Sequence, residues 1–315
     1  MTVTTAHNLP MILTEAQAVG VERISPTFVR VELASPALAD FGVDGKLYDQ
    51  RVKLIFPNES GNLPSFDGAD ESWYSTWLDI PVEQRGHMRT YTARDVRGYG
   101  AETRLVVDFV LHVEDGESGP GSSWAATATS GDRLLVVGPK RGTLFGGIEF
   151  APGTARELLL VGDETAVPAV CSILADLDAD ARGTALLEVP RSDDVMDVAA
   201  PEGVDVVWLP REGAGHGVRQ IAAVRQHLGL APAMESVDEP FVEPQLWETP
   251  AYSSSGEEVA GSTPTDRDMP GLYAWIAGES KVVTHLRRCL VNELGVDRSQ
   301  VAFMGYWRHG VAMRS

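Results

Sequence analysis

Cysteine is nearly absent from this chain of 315 residues: Cys171 and Cys289 are the only two, far apart in sequence. Two isolated cysteines allow neither a disulfide framework nor a CxxC metal site. Each sits in a helix-like run, where a thiol serves as a small buried hydrophobe. Long apolar runs are missing too, and no stretch reaches the roughly 18 residues of a membrane-spanning helix. The opening MTVTTAHNLPMILTEAQ has no charged segment leading into an apolar one, so no signal peptide is expected. The expectation is a cytoplasmic protein without stable membrane insertion. Positive charge is scarce, with 26 Lys and Arg against 45 Asp and Glu and a net charge of -19. That balance excludes non-specific nucleic-acid binding, which needs clustered cations to displace counterions, but leaves room for a local basic pocket. His216, His227 and His285 are scattered without HxH or HExxH spacing. A metal held by the protein itself is therefore not expected.

An apolar fraction of 43% and a charged fraction of 23% are ordinary for globular protein, and the length suits two domains. The first half reads as β-structure. Short apolar or alternating runs at 20–33, 50–56, 104–113 and 133–137 are separated by turn-formers such as Pro57-Asn58 and Gly131-Asp132. This pattern predicts a small antiparallel barrel or sandwich over residues 1–150, with 58–88 as a polar surface excursion. From about residue 155, apolar runs at 157–162, 184–189, 204–209 and 272–277 alternate with helix-length segments at 166–178, 217–229 and 279–294. Repeated βα alternation predicts a parallel sheet covered by helices over 151–315. One segment breaks the rhythm: residues 232–270 hold six prolines and nine Asp or Glu against a single Arg267. It reads as an inserted, largely extended loop, with Phe241, Trp247 and Tyr252 as points where part of it docks.

Three features carry chemistry. Arg89-Thr90-Tyr91-Thr92 offers forked donors for a phosphate, a flat face for an aromatic ring and hydroxyls for a ring nitrogen. An ordinary strand would show the same residues. Gly119-Pro120-Gly121-Ser122-Ser123-Trp124-Ala125 places free N–H groups and hydroxyls at a helix start, which suits a phosphate as well as a plain capped helix. The preceding strand, with Asp108, Val110 and His112, would present its backbone to a ligand lying along it. Finally, Gly305-Tyr306-Trp307-Arg308-His309-Gly310 could seal a last strand onto the core or lay a ring and a cation over a planar cofactor.

With VKLIFP (52–57), RTYTAR (89–94), DFVLH (108–112), GPGSSWA (119–125), GDETAVPA (162–169), AWIAGES (274–280) and GYWRHG (305–310) in this order and spacing, the chain resembles the siderophore-interacting protein family. Members are FAD-containing ferric-siderophore reductases related in architecture to ferredoxin–NADP reductase. The resemblance implies an N-terminal antiparallel flavin-binding barrel and a C-terminal α/β nucleotide-type domain. It implies that Arg89 lies near the pyrophosphate, Tyr91 against the isoalloxazine and Thr92 near its reactive edge, with Thr90 between them. Gly121, Ser122, Ser123 and Trp124 would cradle the pyrophosphate, Thr165 and Ala166 would approach from the second domain, and Trp307 would lie by the ring. Lys53, Lys140 or Arg141, and Arg308 would form a basic pocket for an anionic ferric siderophore. The family's Gly-Pro-Arg-Gly turn reads Gly138-Pro139-Lys140-Arg141-Gly142 here, which leaves two candidates for the family arginine.

Siderophores hold iron(III) through hard anionic oxygens, and iron(II) is a poorer match, so one added electron loosens the complex. The flavin performs that redox step, so no amino-acid nucleophile or general acid is assigned as catalytic. No GxGxxG follows the first strand of the second half, which leaves NAD(P)H or reduced ferredoxin as the electron donor, the latter as a further partner. Two other readings stay open: a general NAD(P)H–flavin or ferredoxin reductase, and a siderophore-binding module with a redox-silent flavin.

Overall fold

The structure, a computed structural model, describes residues 9–111, 119–232, 247–249, 252–253, 269 and 271–310. The chain divides between Ile148 and Glu149 into two units. In the first, strands β1 (Met11–Arg23), β2 (Phe28–Ala34), β3 (Arg51–Phe56), β4 (His87–Thr92), β5 (Asp95–Arg97), β6 (Arg104–Val110) and β7 (Arg133–Pro139) form one sheet. Their order is β4-β3-β7-β1-β2-β6-β5, and neighbours run antiparallel. The two edge strands are consecutive in sequence. Between them the Ala93 N–H donates to Gln50 O and the Arg94 N–H to Val106 O, so the chain steps from one edge to the other and the sheet curls into a half-barrel.

The two-residue period of strands sorts the side chains. Val52, Leu54 and Phe56 on β3 point into the same cluster as Leu105, Val107 and Phe109 on β6. Ile55 points the other way, into a second cluster with Leu13, Met88 and Leu135. That outer cluster is covered by α1 (Trp73–Asp79), whose Trp73 and Trp77 are buried. The segment 58–88 is therefore more than a surface excursion: it supplies two indoles to the core. Trp77 Nε1 donates to Arg85 O at 2.9 Å, in the short α2 (Val82–Arg85). The apolar run 20–33 is likewise not one strand. It turns at Ser25, whose Oγ accepts from the backbone of Thr27 and Phe28, and Pro26 has no N–H to continue a ladder. A third helix, α3 (Pro120–Thr127), packs beside β2, β3 and β6.

The second unit holds β8 (Glu157–Gly162), α4 (Val167–Asp176), β9 (Gly183–Val189), β10 (Val204–Pro210), α5 (Val218–His227), β11 (Trp247–Thr249), β12 (Tyr252–Ser253), β13 (Leu272–Glu279), α6 (Ser280–Arg287) and β14 (Val301–Trp307). Strands β10-β9-β8-β13-β14 are parallel, and β11 adds to β14 antiparallel. Part of the acidic insertion thus extends the sheet, with Trp247 stacked on Tyr306 at 6.0 Å. Phe241 lies outside the described residues. The chain leaves β8 toward β9 and β10 and returns on the other side as β13, so the strand order reverses between β8 and β13. Ligands of open α/β sheets bind beyond the carboxyl ends of the strands at such a reversal. Cys171 and Cys289 are both buried thiols.

Candidate functional site

Strand β4 pairs with β3 alone, so its second edge is open. Its residues alternate: Tyr91 lies opposite Val52 and Arg89 opposite Leu54, on the barrel-interior face, while Thr90 and Thr92 lie opposite Lys53 and Arg51 on the outer face. Arg89 and Tyr91 are thus neighbours on one face, about 7 Å apart along the strand. The Tyr91 ring packs 4.6 Å from Phe109 and 6.0 Å from Phe56, and both touch Trp124 of α3 at 5.7 Å. Burial pushes the Tyr91 phenol well above its usual range, so it stays neutral. Its hydroxyl reaches the backbone of Gly121, where a Cβ would stand 1.8 Å from Tyr91 Oη. Only glycine fits there. The tyrosine of β4 and the first turn of α3 are therefore in direct contact.

The first turn of α3 has a cap residue without a side chain, Gly119, and Pro120 opens the helix. The backbone donors of the turn therefore end the helix without a carboxylate or hydroxyl of the chain in the cap position, and the helix dipole adds to them. Ser122 is buried and Ser123 exposed. Arg89 is half-buried, donates Nη1 to Met88 O at 2.7 Å, and has its pKa lowered by that burial. The outer face of α3 borders a cavity of about 750 Å³ that Phe56, Leu63, His87, Ser123, Trp124 and Arg133 help to line.

The other expected ligands in this unit fall into distinct groups. Lys53 is exposed with its ammonium 3.4 Å from the Thr90 hydroxyl; loss of hydration and the Arg51 charge lower its pKa. Of the two candidates in the turn after β7, Arg141 donates to Phe41 O at 2.8 Å, and Lys140 is half-buried on the end of the β7 ladder, bridging Phe41. Asp108 spends its carboxylate on a bidentate pair with Arg30, 2.7 Å at each oxygen, with Arg94 at 3.7 Å. Its side chain is a barrel cross-link. Val110 pairs with Phe28 on β2, and His112 lies outside the described residues.

In the second unit, the expected residues meet at the strand-order reversal, around a group that the sequence pattern did not single out. Asp163, just after β8, accepts from Thr165 N and Oγ1 at 2.9 and 2.5 Å, from Glu279 N at 2.8 Å and from Trp307 Nε1 at 2.7 Å. Burial and the neighbouring Glu164 push its carboxyl up to about 7, against the pull of these donors. Ala166 is buried against Gly162. Trp307 stands 5.0 Å from the His216 ring, so that histidine is not scattered but part of the cluster. Arg308 is half-buried beside it. Arg211, also unforeseen, binds Glu164 through both oxygens at 2.6 and 2.9 Å.

Each unit matches a known protein family. A family description, Siderophore-interacting FAD-binding domain, matches residues 17–143, and its companion, Siderophore-interacting protein, matches residues 155–310. An uncharacterized protein of Mycobacterium tuberculosis is 33% identical over 301 residues, 93% of this chain and 89% of that protein. The ferric vibriobactin reductase ViuB of Vibrio cholerae is 28% identical over 290 residues, 91% of this chain and 86% of that protein. The crystal structure of a siderophore utilization protein from T. fusca superimposes with a TM-score of 0.67 at 29% identity, covering 99% of this chain and 97% of that one. The chain belongs to the siderophore-interacting protein family, and its first unit is that family's FAD-binding domain.

Proposed function

We propose that the chain holds FAD and uses it to reduce an iron(III)–siderophore complex, releasing iron(II) in the cytoplasm. The observation that carries the reading is the junction of β4 and α3, where Tyr91 abuts Gly121 at a helix start whose cap residue is Gly119. Those residues fit a flavin dinucleotide. Arg89 and the first-turn donors of α3 would hold the pyrophosphate, with Ser123 adding a hydroxyl. Tyr91, neutral and pinned by Phe56 and Phe109, would present a fixed aromatic surface, and Thr92 would flank the ring. When bound, FAD supplies a carrier that accepts an electron pair and gives electrons up singly. The reductase activity is supported by the likeness to ferric vibriobactin reductase, and a siderophore as substrate by the family.

The chain's own contribution to the substrate is electrostatic. With a net charge of -19, the overall field opposes an anionic chelate. Lys53, exposed beside Thr90, with Lys140 or Arg141 and with Arg308, would attract it at short range, where a local cation outweighs distant like charge. Electrons would come from NAD(P)H or reduced ferredoxin. Mixing the purified protein with each donor without oxygen, then adding ferric siderophore, tests the proposal. Flavin bleaching by one donor and recovery of its colour on adding the chelate are expected. A colourless protein that cannot be reconstituted with FAD contradicts it.

A further inference from the structure

The carboxyl ends of β8, β9 and β13 carry four buried carboxylates: Asp163, Glu164 and Glu188, which interact with the Arg211 guanidinium, and Glu279, whose N–H donates to Asp163. Three of the four have a charged or helical partner. Glu164 takes Arg211 through both oxygens, and Glu188 stands 3.4 Å from the same guanidinium while also accepting from Gly217 N and Gln220 N. Glu279 caps α6, accepting from Lys281 N and Val282 N, and also accepts from His309 N. Asp163 accepts hydrogen bonds only from neutral donors, with the Glu164 carboxylate next to it and the Arg211 charge acting on it without a hydrogen bond. It is also pressed into place: a Cβ on Gly278 would fall 2.5 Å from Asp163 Oδ2. A carboxylate buried beside another and without its own cation is the member of such a group that takes up a proton.

The two oxygens are not equivalent. Oδ2 faces the N–H groups of Glu279 and Trp307, which can only donate. Oδ1 accepts the Thr165 N–H at 2.9 Å and also faces the Thr165 hydroxyl at 2.5 Å, the one partner of either oxygen that can turn from donor to acceptor. Thr165 is also half-buried, whereas Asp163, Glu164 and Ala166 around it are buried, so it is the least enclosed residue of this loop.

We propose that Asp163 is a proton-exchange group that takes a proton onto Oδ1, in partnership with the Thr165 hydroxyl, while Oδ2 keeps Trp307 in position. The carboxyl raised to about 7 agrees with this: protonated below that pH, ionised above it. Trp307 keeps its bond in both states, so the crevice can bind and return a proton without moving the indole. His216 and His309 flank the same indole at 5.0 and 6.3 Å and are the groups whose titration could imitate the effect.

The test uses the full chain as purified and does not depend on flavin or iron chemistry, so it stands or falls separately from the proposed function. Aspartate carboxyl carbons are labelled with carbon-13 and tryptophan indoles with nitrogen-15, and both are followed by NMR from pH 5 to 9. One aspartate carbon, missing in Asp163→Asn, is expected to titrate with a midpoint near 7, and to do so also in a His216→Gln, His309→Gln variant. The Trp307 indole N–H, identified by its loss in Trp307→Phe, should stay at a hydrogen-bonded position throughout. Should Asp163→Asn fail to fold, the carbon is assigned in the natural protein by its proximity to that indole N–H. An Asp163 carbon that stays ionised down to pH 5, a midpoint that vanishes with the histidines, or an indole N–H released on protonation overturns the proposal.

Discussion

Replacing Gly121 with alanine puts one methyl group at the contact that joins the expected ring platform to the expected phosphate cradle. The new Cβ would stand 1.8 Å from Tyr91 Oη, 2.9 Å from Tyr91 Cζ and 3.1 Å from Phe56 Cζ. Tyr91 cannot retreat freely, because its ring lies against Phe109 at 4.6 Å and Phe56 at 6.0 Å. Either the aromatic cluster repacks or α3 moves off the barrel, and overpacking of this kind costs about 1–3 kcal/mol. Removing the hydroxyl as well, in Gly121→Ala with Tyr91→Phe, deletes the shortest of the three contacts. The single variant should therefore unfold at lower urea by about 1–3 kcal/mol and hold FAD more weakly, and the double variant should recover most of both losses. Urea midpoints at unchanged slope and FAD titrations by flavin fluorescence read the two effects. A Gly121→Ala protein as stable and as tightly flavinylated as the natural chain, or a double variant no better than the single, would refute the packing argument.

Three further outcomes follow from the same geometry. Arg89→Ala should weaken FAD by about 1.5–3 kcal/mol, the worth of a hydrogen bond to a charged group and roughly 10- to 150-fold in the dissociation constant, with the fold intact by circular dichroism. Trp77→Ala empties a fully buried indole site on the outer face of the barrel and should cost about 3–5 kcal/mol in urea unfolding, while variant that remains folded still binds FAD. Lys53→Ala should raise the Michaelis constant for an anionic ferric siderophore by up to about fivefold at low salt, an exposed charge being worth roughly 0.2–1 kcal/mol, and the difference should fade as salt rises with flavin content unchanged.

The second unit is legible in sequence because parallel strands buried on both faces read as continuous apolar runs. Leu272–Glu279, buried at every position, is such a run, and Glu157–Gly162 is another. The motif RTYT and the helix start GPGSSWA are legible for a different reason: their chemistry is local, carried by adjacent residues. The start of β1 is not, since Thr14, Ala16 and Ala18 are buried there without a strongly apolar pattern. Helix α1 hides in a polar stretch because only Trp73 and Trp77, one turn apart, face the barrel. The role of Asp108 could not be read locally either, for its partner Arg30 is brought to it by the β2–β6 register. The same holds more strongly for Asp163 and Trp307, which lie 144 residues apart and meet only because β8, β13 and β14 are neighbours in the sheet.

The central claim is that this fold passes electrons from flavin to chelated iron, and an anaerobic titration of the reduced protein tests it most directly. The purified protein is reduced with dithionite until its flavin absorbance is bleached, then titrated with a ferric siderophore in the presence of an iron(II) chelator that colours on binding. Flavin absorbance is expected to return in step with the iron(II) colour, one iron for each electron withdrawn. A flavin that stays bleached in excess ferric siderophore, with no iron(II) formed, would contradict it.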